Sequence, residues 1–503
     1  MKPYFIYFVS LLFIPMLVSQ TGCSKEVVEE IETPASNLDS DDITISLEGE
    51  LQISDFVWKG LNEVYYWQDS VPALSDSKKN DLKAYAQFIN ENPEPKSFFE
   101  SLKHSSDRFS WIQDDYKELE NTLQGIYATN GVEFGLMYAC ENCEEIVGYV
   151  KYILKDSDAD GKNINRGDFF NGVNGTTLTV DNYRSLLFGD ELTYTLNLAT
   201  IQNNAIVSNG IDVELTKVEN FETNPIQISK SFPYEIGDGG SYGIIGYLMY
   251  NQFVADKSDE LNQVFANFKT EGISDLILDL RYNGGGSVRN CIELASMITG
   301  QFEGEIFAKE KWNRKIEAYL TERNGSESLI DRFVGELSNG EAINSLNLNR
   351  IYIITTSESA SASELLINGL DPYINVIQVG ERTVGKNVGS ITIYDYIDNE
   401  QTKNPDHTYA MQPIVLKIAN SEDYADYSTG LIPDAEIDEN IRNLGTLGET
   451  DEHLVATVLG IITGTQKRNF SKTQMSKKLL LQDPLMLSRQ RMIVEKEELF
   501  SKD

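Results

Sequence analysis

Serines at 357, 359, 361 and 363 occupy alternate positions in TTSESASASELLINGL, residues 355–370. A serine becomes a nucleophile only when another group takes its proton; the same stretch would serve equally as a set of helix-capping hydroxyls. Histidine is scarce, with only His104, His407 and His453 in the chain, and none stands in a recognisable catalytic motif. Lysine is the alternative base, provided that burial lowers its pKa enough to leave it neutral. Lys386 is a candidate, in the glycine-flanked loop GERTVGKNVGS that follows the strand-like INVIQVG. A third element is Asn283-Gly284-Gly285-Gly286, after DLILDLR. Adjacent glycines at a strand end leave N–H groups exposed to a substrate oxygen, although NGGG alone also fits a plain tight turn.

Such groups need a scaffold to bring them together. From about residue 241 strand-like runs alternate with helical ones: SYGIIGYLMY, DELNQVFANFKTEG, DLILDLR, VRNCIELASMITG, RIYIITT, ASELLINGL, INVIQVG. This alternation predicts a sheet covered by helices, with functional loops at strand ends. Residues 46–120 carry helical spacings, and residues 121–216 shorter β-like runs such as VEFGLMY and IVGYVKYIL. The fold class expected is therefore multidomain α/β, with an α/β core over 217–450 and a helical, charged segment over 451–503 whose last 40 or so residues are peripheral.

The ordered set NGGG, SASASE and GERTVGK resembles the Ser-Lys peptidases of family S41, the C-terminal processing or tail-specific proteases. The resemblance runs from about 107 to 438 and includes DRFSWI, NINRGDFFNGVNG and YSTGLIPDAEI. It implies an α/β core with a ClpP- or crotonase-like sheet and a PDZ-like domain over 121–216. It further implies Ser361 as nucleophile, Lys386 as base, and Gly285, Gly286 and Ala362 as oxyanion donors. Phe134, Gly135, Leu136 and Met137 would border a PDZ peptide groove. The chain departs from relatives that place Gln four residues after the lysine, where Ser390 stands here, or Asp eleven after the serine, where Pro372 stands next to Asp371. Ser390 and Asp371 are the candidates for a third catalytic member. The activity implied is endopeptidase cleavage of polypeptides, C-terminal tails above all, without cofactor or metal; the alternative is an impaired scaffold that only binds peptides.

The ends and the charge bear on location and partners. MKPYFIYFVSLLFIPMLVSQTG, residues 1–22, reads as an export signal, and Cys23 after Gly22 resembles a lipidation site, with Gln20 where such signals usually carry Leu. Residues 23–45 form an acidic tether. The expectation is a cell-envelope protein, lipid-anchored to a bacterial membrane and facing periplasm or exterior. A formal net charge of −36 excludes nucleic acid as a natural partner. Cys140 and Cys143 lack the further ligands of a zinc site, leaving a disulfide or two thiols, and Cys291 fits a core position. DSDADG, residues 156–161, opens like a calcium loop, but Gly167 occupies its closing position, so a surface turn is expected. Oligomeric state is not legible.

Overall fold

Period-two alternation in the central strands assigns their side chains to two different cores. Leu276, Leu278 and Leu280 pack with Ile351 and Ile353 against helices Ser258–Glu271, Val288–Thr299 and Ala362–Leu370. Ile277, Tyr352, Ile354, Ile377 and Val379 point the other way, onto Leu454, Val455 and Val458 of helix His453–Ile462. The sheet has six strands in the order Ile226–Ile236, Ser241–Tyr250, Asp275–Asp279, Arg350–Thr355, Asn375–Gly380 and Ala435–Glu436. Only the first pair is antiparallel. Parallel strands buried on both faces explain the nearly continuous apolar runs in the sequence. Three neighbouring strand ends lead into NGGG, SASAS and GERTVGK, so loops far apart in the chain emerge side by side.

This computed structural model describes residues 49–203, 205–236, 241–398, 400–465 and 489–495. The export signal, Cys23 and the whole of the tether lie outside these residues. Every described element belongs to one unit, Ser46–Asp503. Helices Glu50–Val64, Leu82–Asn90 and Pro95–Leu102 bury Trp58, Leu61, Ile89, Phe98 and Phe99 in the larger core. The strand Trp111–Gln113 then pairs with Ala410–Gln412 and ties this region to the core.

A second six-stranded sheet has the order Gly285–Ser287, Arg491–Ile493, Val388–Ser390, Ile414–Asn420, Ile306–Trp312 and Ile330–Arg332. Its second member corrects the expectation of a wholly peripheral C-terminus. Arg491–Ile493 lies inside the sheet, Met492 is fully buried, and Val494 joins the main core. The apolar triplet Met492-Ile493-Val494, set among charges, supplies enough surface to bury one short strand.

A third, antiparallel sheet is built on Val132–Tyr138, Ile146–Ile153, Phe169–Val173, Thr193–Gln202 and Ala205–Thr216, around its own core of Leu136, Val150, Phe170 and Leu196. Val132–Tyr138 is an edge strand in this sheet. Arg166 joins the module to the mainly parallel sheet, donating to Tyr282 Oη at 2.8 Å and to Glu439 at 2.8 Å. Glu439 also meets Arg281, which is fully buried and pairs with Asp279 and with Glu452, the N-cap of helix His453–Ile462. In the DSDADG turn, Asp158 accepts from Lys162 and from Thr216 N–H, and Asp160 from Asp156 N–H, so two of its carboxylates serve the turn itself. Cys140 and Cys143 are free thiols, and Cys291 is buried in the core.

Candidate active site

Ser361 is the N-cap of the buried helix Ala362–Leu370 and has φ of 64° and ψ of −114°. A positive φ is costly for a residue with a Cβ and persists only where the surroundings enforce it. Here they do. Ser359 Oγ donates to Leu280 O at 2.7 Å, Ser363 Oγ donates to Asn283 O at 3.0 Å, and Ala360 N–H also reaches Asn283 O. The flanking serines thus pin the turn to the neighbouring strand end. Ser361 Oγ, by contrast, is buried and makes no hydrogen bond. The first helical N–H groups, Ala362 among them, have no intrahelical acceptor and face a developing negative charge favourably.

Glu364 organises the two halves of the site. One oxygen, Oε2, accepts from Ser361 N–H and from Lys386 N–H, each at 2.8 Å; the other accepts from Gly385 N–H at 2.6 Å and from the Thr383 hydroxyl. Locally Glu364 is only an acidic residue in the first turn of the helix. Its other partners lie about twenty residues away in the chain, beyond any local pattern.

The Lys386 side chain is buried, with Nζ 5.3 Å from the centre of the Phe109 ring. Burial, aided by the nearby Arg491 cation, pulls its pKa down to about 7, against the opposing pull of Asp107 and Glu364. The loop carrying it is held by Arg108, which donates to Gly385 O at 2.8 Å and Ser428 O at 2.9 Å. DRFSWI therefore supplies both the wall of the lysine pocket and an anchor for its loop. Nζ donates to Gln490 O at 2.6 Å, an acceptor in the C-terminal strand that sequence reasoning did not anticipate.

At the glycine turn, a Cβ on Gly285 would stand 2.7 Å from Ser361 Cβ, 2.9 Å from Ala362 N and 2.1 Å from Arg491 O. Only glycine fits, and NGGG and SASAS are in direct apposition. The expected donor set needs one correction: Gly285 N–H is taken by Asn283 Oδ1 at 2.8 Å. Gly286 N–H faces Arg491 O in the parallel ladder, so Ala362 N–H stands ready for an oxyanion and Gly286 N–H joins it only when Arg491 O is displaced. Asn283 is itself fixed by donating to Tyr250 O at 2.8 Å.

The two candidate third members fare differently. Asp371 is exposed at the C-cap of the helix that Ser361 begins, so about 15 Å of helix separates them. It cannot take part. Ser390 is buried nearby on Val388–Ser390, but its hydroxyl is directed to Met492 O at 3.4 Å. Phe134 packs on Phe170 and Phe188 and lines a cavity of about 700 Å³ that also touches Tyr127, Tyr152, Gly284, Arg489 and Arg491. Leu136 and Met137 are buried in different cores of the sheet module, and a Cβ on Gly135 would strike the Tyr149 ring.

Residues 244–409 match the family described as Peptidase family S41, and residues 52–111 match the Peptidase S41 N-terminal domain. Among curated relatives, a "Probable CtpA-like serine protease" of Staphylococcus epidermidis is 23% identical over 69% of this chain and 59% of its own length. A protein of the same description from Staphylococcus aureus is 24% identical over 47% of this chain and 44% of its own. The chain thus spans about half to three-fifths of the length of these relatives. A crystal structure of an S41 protease from Bacteroides fragilis shares the fold, with a TM-score of 0.63 at 23% identity, covering 82% of this chain and 98% of that one.

Proposed function

We propose that the chain is a serine endopeptidase that hydrolyses polypeptides through an acyl-enzyme on Ser361, with Lys386 as general base and acid. The observation that carries this reading is the shared Glu364 oxygen: it draws together a hydrogen-bond-free buried hydroxyl and a lysine whose pKa lies near neutrality. Neutral Lys386 takes the Ser361 proton as Oγ attacks the carbonyl carbon, then delivers it to the departing amine. Gly286 and Ala362 N–H groups stabilise the oxyanion. Water, deprotonated by the same lysine, releases the acyl group.

The sheet module supports a PDZ-like reading, in which Val132–Tyr138 adds a substrate tail as a further strand beside Phe188. Attachment to a bacterial envelope through Cys23 follows from the N-terminal sequence alone. The test is incubation of wild type and Ser361→Ala with an unstructured peptide ending in an apolar tail, followed by mass spectrometry. Fragments with wild type alone are expected; equal fragmentation by the variant would remove Ser361 from the mechanism. Detergent partitioning of wild type against Cys23→Ser tests the anchor.

A further inference from the structure

The sheet between the glycine turn and the lysine loop is completed by a segment from the end of the chain. Arg491–Ile493 runs parallel to Gly285–Ser287, in the register Gly285 to Arg491, Gly286 to Met492 and Ser287 to Ile493. On its other side Ile493 pairs with Ser390, and Val494 N–H donates to Ser390 O at 3.1 Å. The segment therefore fills the gap between the strand that presents the oxyanion donors and the strand that follows Lys386.

Its backbone meets the reacting groups directly. Arg491 N–H donates to Gly284 O at 2.9 Å, and in a parallel ladder the next bond runs from Gly286 N–H back to Arg491 O. The Arg491 carbonyl thus lies against Gly285, opposite Ser361 and Ala362, where a substrate carbonyl must stand. The preceding carbonyl, Gln490 O, accepts from Lys386 Nζ, while Ser361 Oγ has no partner. Side chains hold the strand on both flanks. Met492 is fully buried, Arg491 Nη1 donates to Thr122 O at 2.9 Å, and Arg489 pairs with Glu133 at 3.1 Å beside the cavity at the sheet module's edge strand.

We propose that the groove between Gly285–Ser287 and Val388–Ser390 is the strand-binding site for substrate, and that in the free chain Arg489–Glu495 occupies it and keeps substrate out. The proposal rests on the peptidase reading and adds its substrate site and a means of restraint. The occupant is not cut because Lys386 spends its hydrogen bond on Gln490 O instead of engaging Ser361. Substrate enters as a strand only when the segment leaves, with an apolar side chain taking the place of Met492.

The experiment uses the full chain. Met492→Asp puts a carboxylate into an apolar site and expels the strand; Arg491→Pro removes the N–H that Gly284 O accepts, and serves as the second variant if a thermal melt shows the first to be unfolded. Turnover of an unfolded protein substrate is compared with wild type, with Ser361→Ala as the blank. A rise of roughly ten-fold or more is expected, since expelling an occupant returns the closed fraction to the competent pool. A synthetic peptide matching residues 487–497 should then inhibit the opened variant competitively. Equal, Ser361-dependent turnover by wild type and variants, or no inhibition by the peptide, overturns the occupancy and leaves the peptidase standing. Turnover no greater than the Ser361→Ala blank in every form overturns both.

Discussion

Ser361 and Lys386, twenty-five positions apart in the chain, donate their backbone N–H groups to the same oxygen of Glu364, each at 2.8 Å. The backbones that carry the proposed nucleophile and base are therefore held together through a third residue's carboxylate, whose other oxygen secures Gly385 and Thr383. Glu364 is a positioning residue in this arrangement.

Replacing it should harm rate more than substrate affinity. Glu364→Gln keeps the shape but puts an amide NH2, a donor, where one carboxylate oxygen accepted, so at least one buried donor loses its acceptor, at a cost of about 1–3 kcal/mol. We expect kcat to fall roughly a hundred-fold with KM nearly unchanged. Steady-state kinetics together with a melting curve would check this; a lower Tm with unaltered kcat would assign Glu364 to the fold alone.

The pH dependence follows from Lys386. Its pKa is lowered to about 7, and only the neutral amine accepts the Ser361 proton, so activity should rise with pH through about 7 and level off above. Arg491 contributes to the lowering in the free chain, whose pKa kcat/KM reports, so Arg491→Met should move the midpoint upward. A profile of kcat/KM from pH 5 to 9 reads both effects.

Gly285→Ala and Gly286→Ala should fail for different reasons. The first drives a methyl into Arg491 O and Ser361 Cβ, at the reacting centre; the second drives one to within 1.9 Å of Phe253 O, in the supporting backbone. Both residues have φ well above zero, 106° and 143°. Loss of activity is expected in each. Gly286→Ala should also lower Tm clearly, as calorimetry would show, because the backbone at Phe253 has less room to yield than the C-terminal strand that carries Arg491 O.

Acid should weaken the join around Glu439. Burial alone would raise its pKa, but Arg281 and Arg166 hold it down to about 2. A carboxylate with a lowered folded-state pKa contributes stability that is present above its ordinary value near 4.5 and lost as pH falls toward 2. Denaturation midpoints measured from pH 6 to 3 should therefore decline, and Glu439→Gln should flatten that part of the slope while lowering stability at pH 6.

What the sequence disclosed and what it withheld divide along chain distance. The alternation of strands and helices is a local property, and so it gave the parallel sheet and the helices over it. NGGG, SASAS and GERTVGK are short motifs, and each emerges at the end of a neighbouring strand. The role of Glu364 depends on a loop nineteen to twenty-two residues further on, and the loss of Gly285 N–H depends on which way the Asn283 side chain turns. Asp371 was a candidate only through its place beside the position where some relatives carry Asp, and the helix Ala362–Leu370 sets it at the far end from Ser361. The C-terminal strand was hidden most thoroughly: three apolar residues among charges carry no periodicity, and their partners stand more than a hundred residues back.

Arg281 has a consequence for how this chain can be taken apart. Its guanidinium is shared by Asp279 on the catalytic strand, Glu452 at the head of the last described helix, and Glu439, through which Arg166 reaches it from the sheet module. The sheet module is consequently not a portable cassette. Transplanted to a different core it would carry Arg166 without its counter-charge, and removed from this one it would leave Glu439 with one of its two arginines, so an exchange of modules must move Arg166, Tyr282 and Glu439 together.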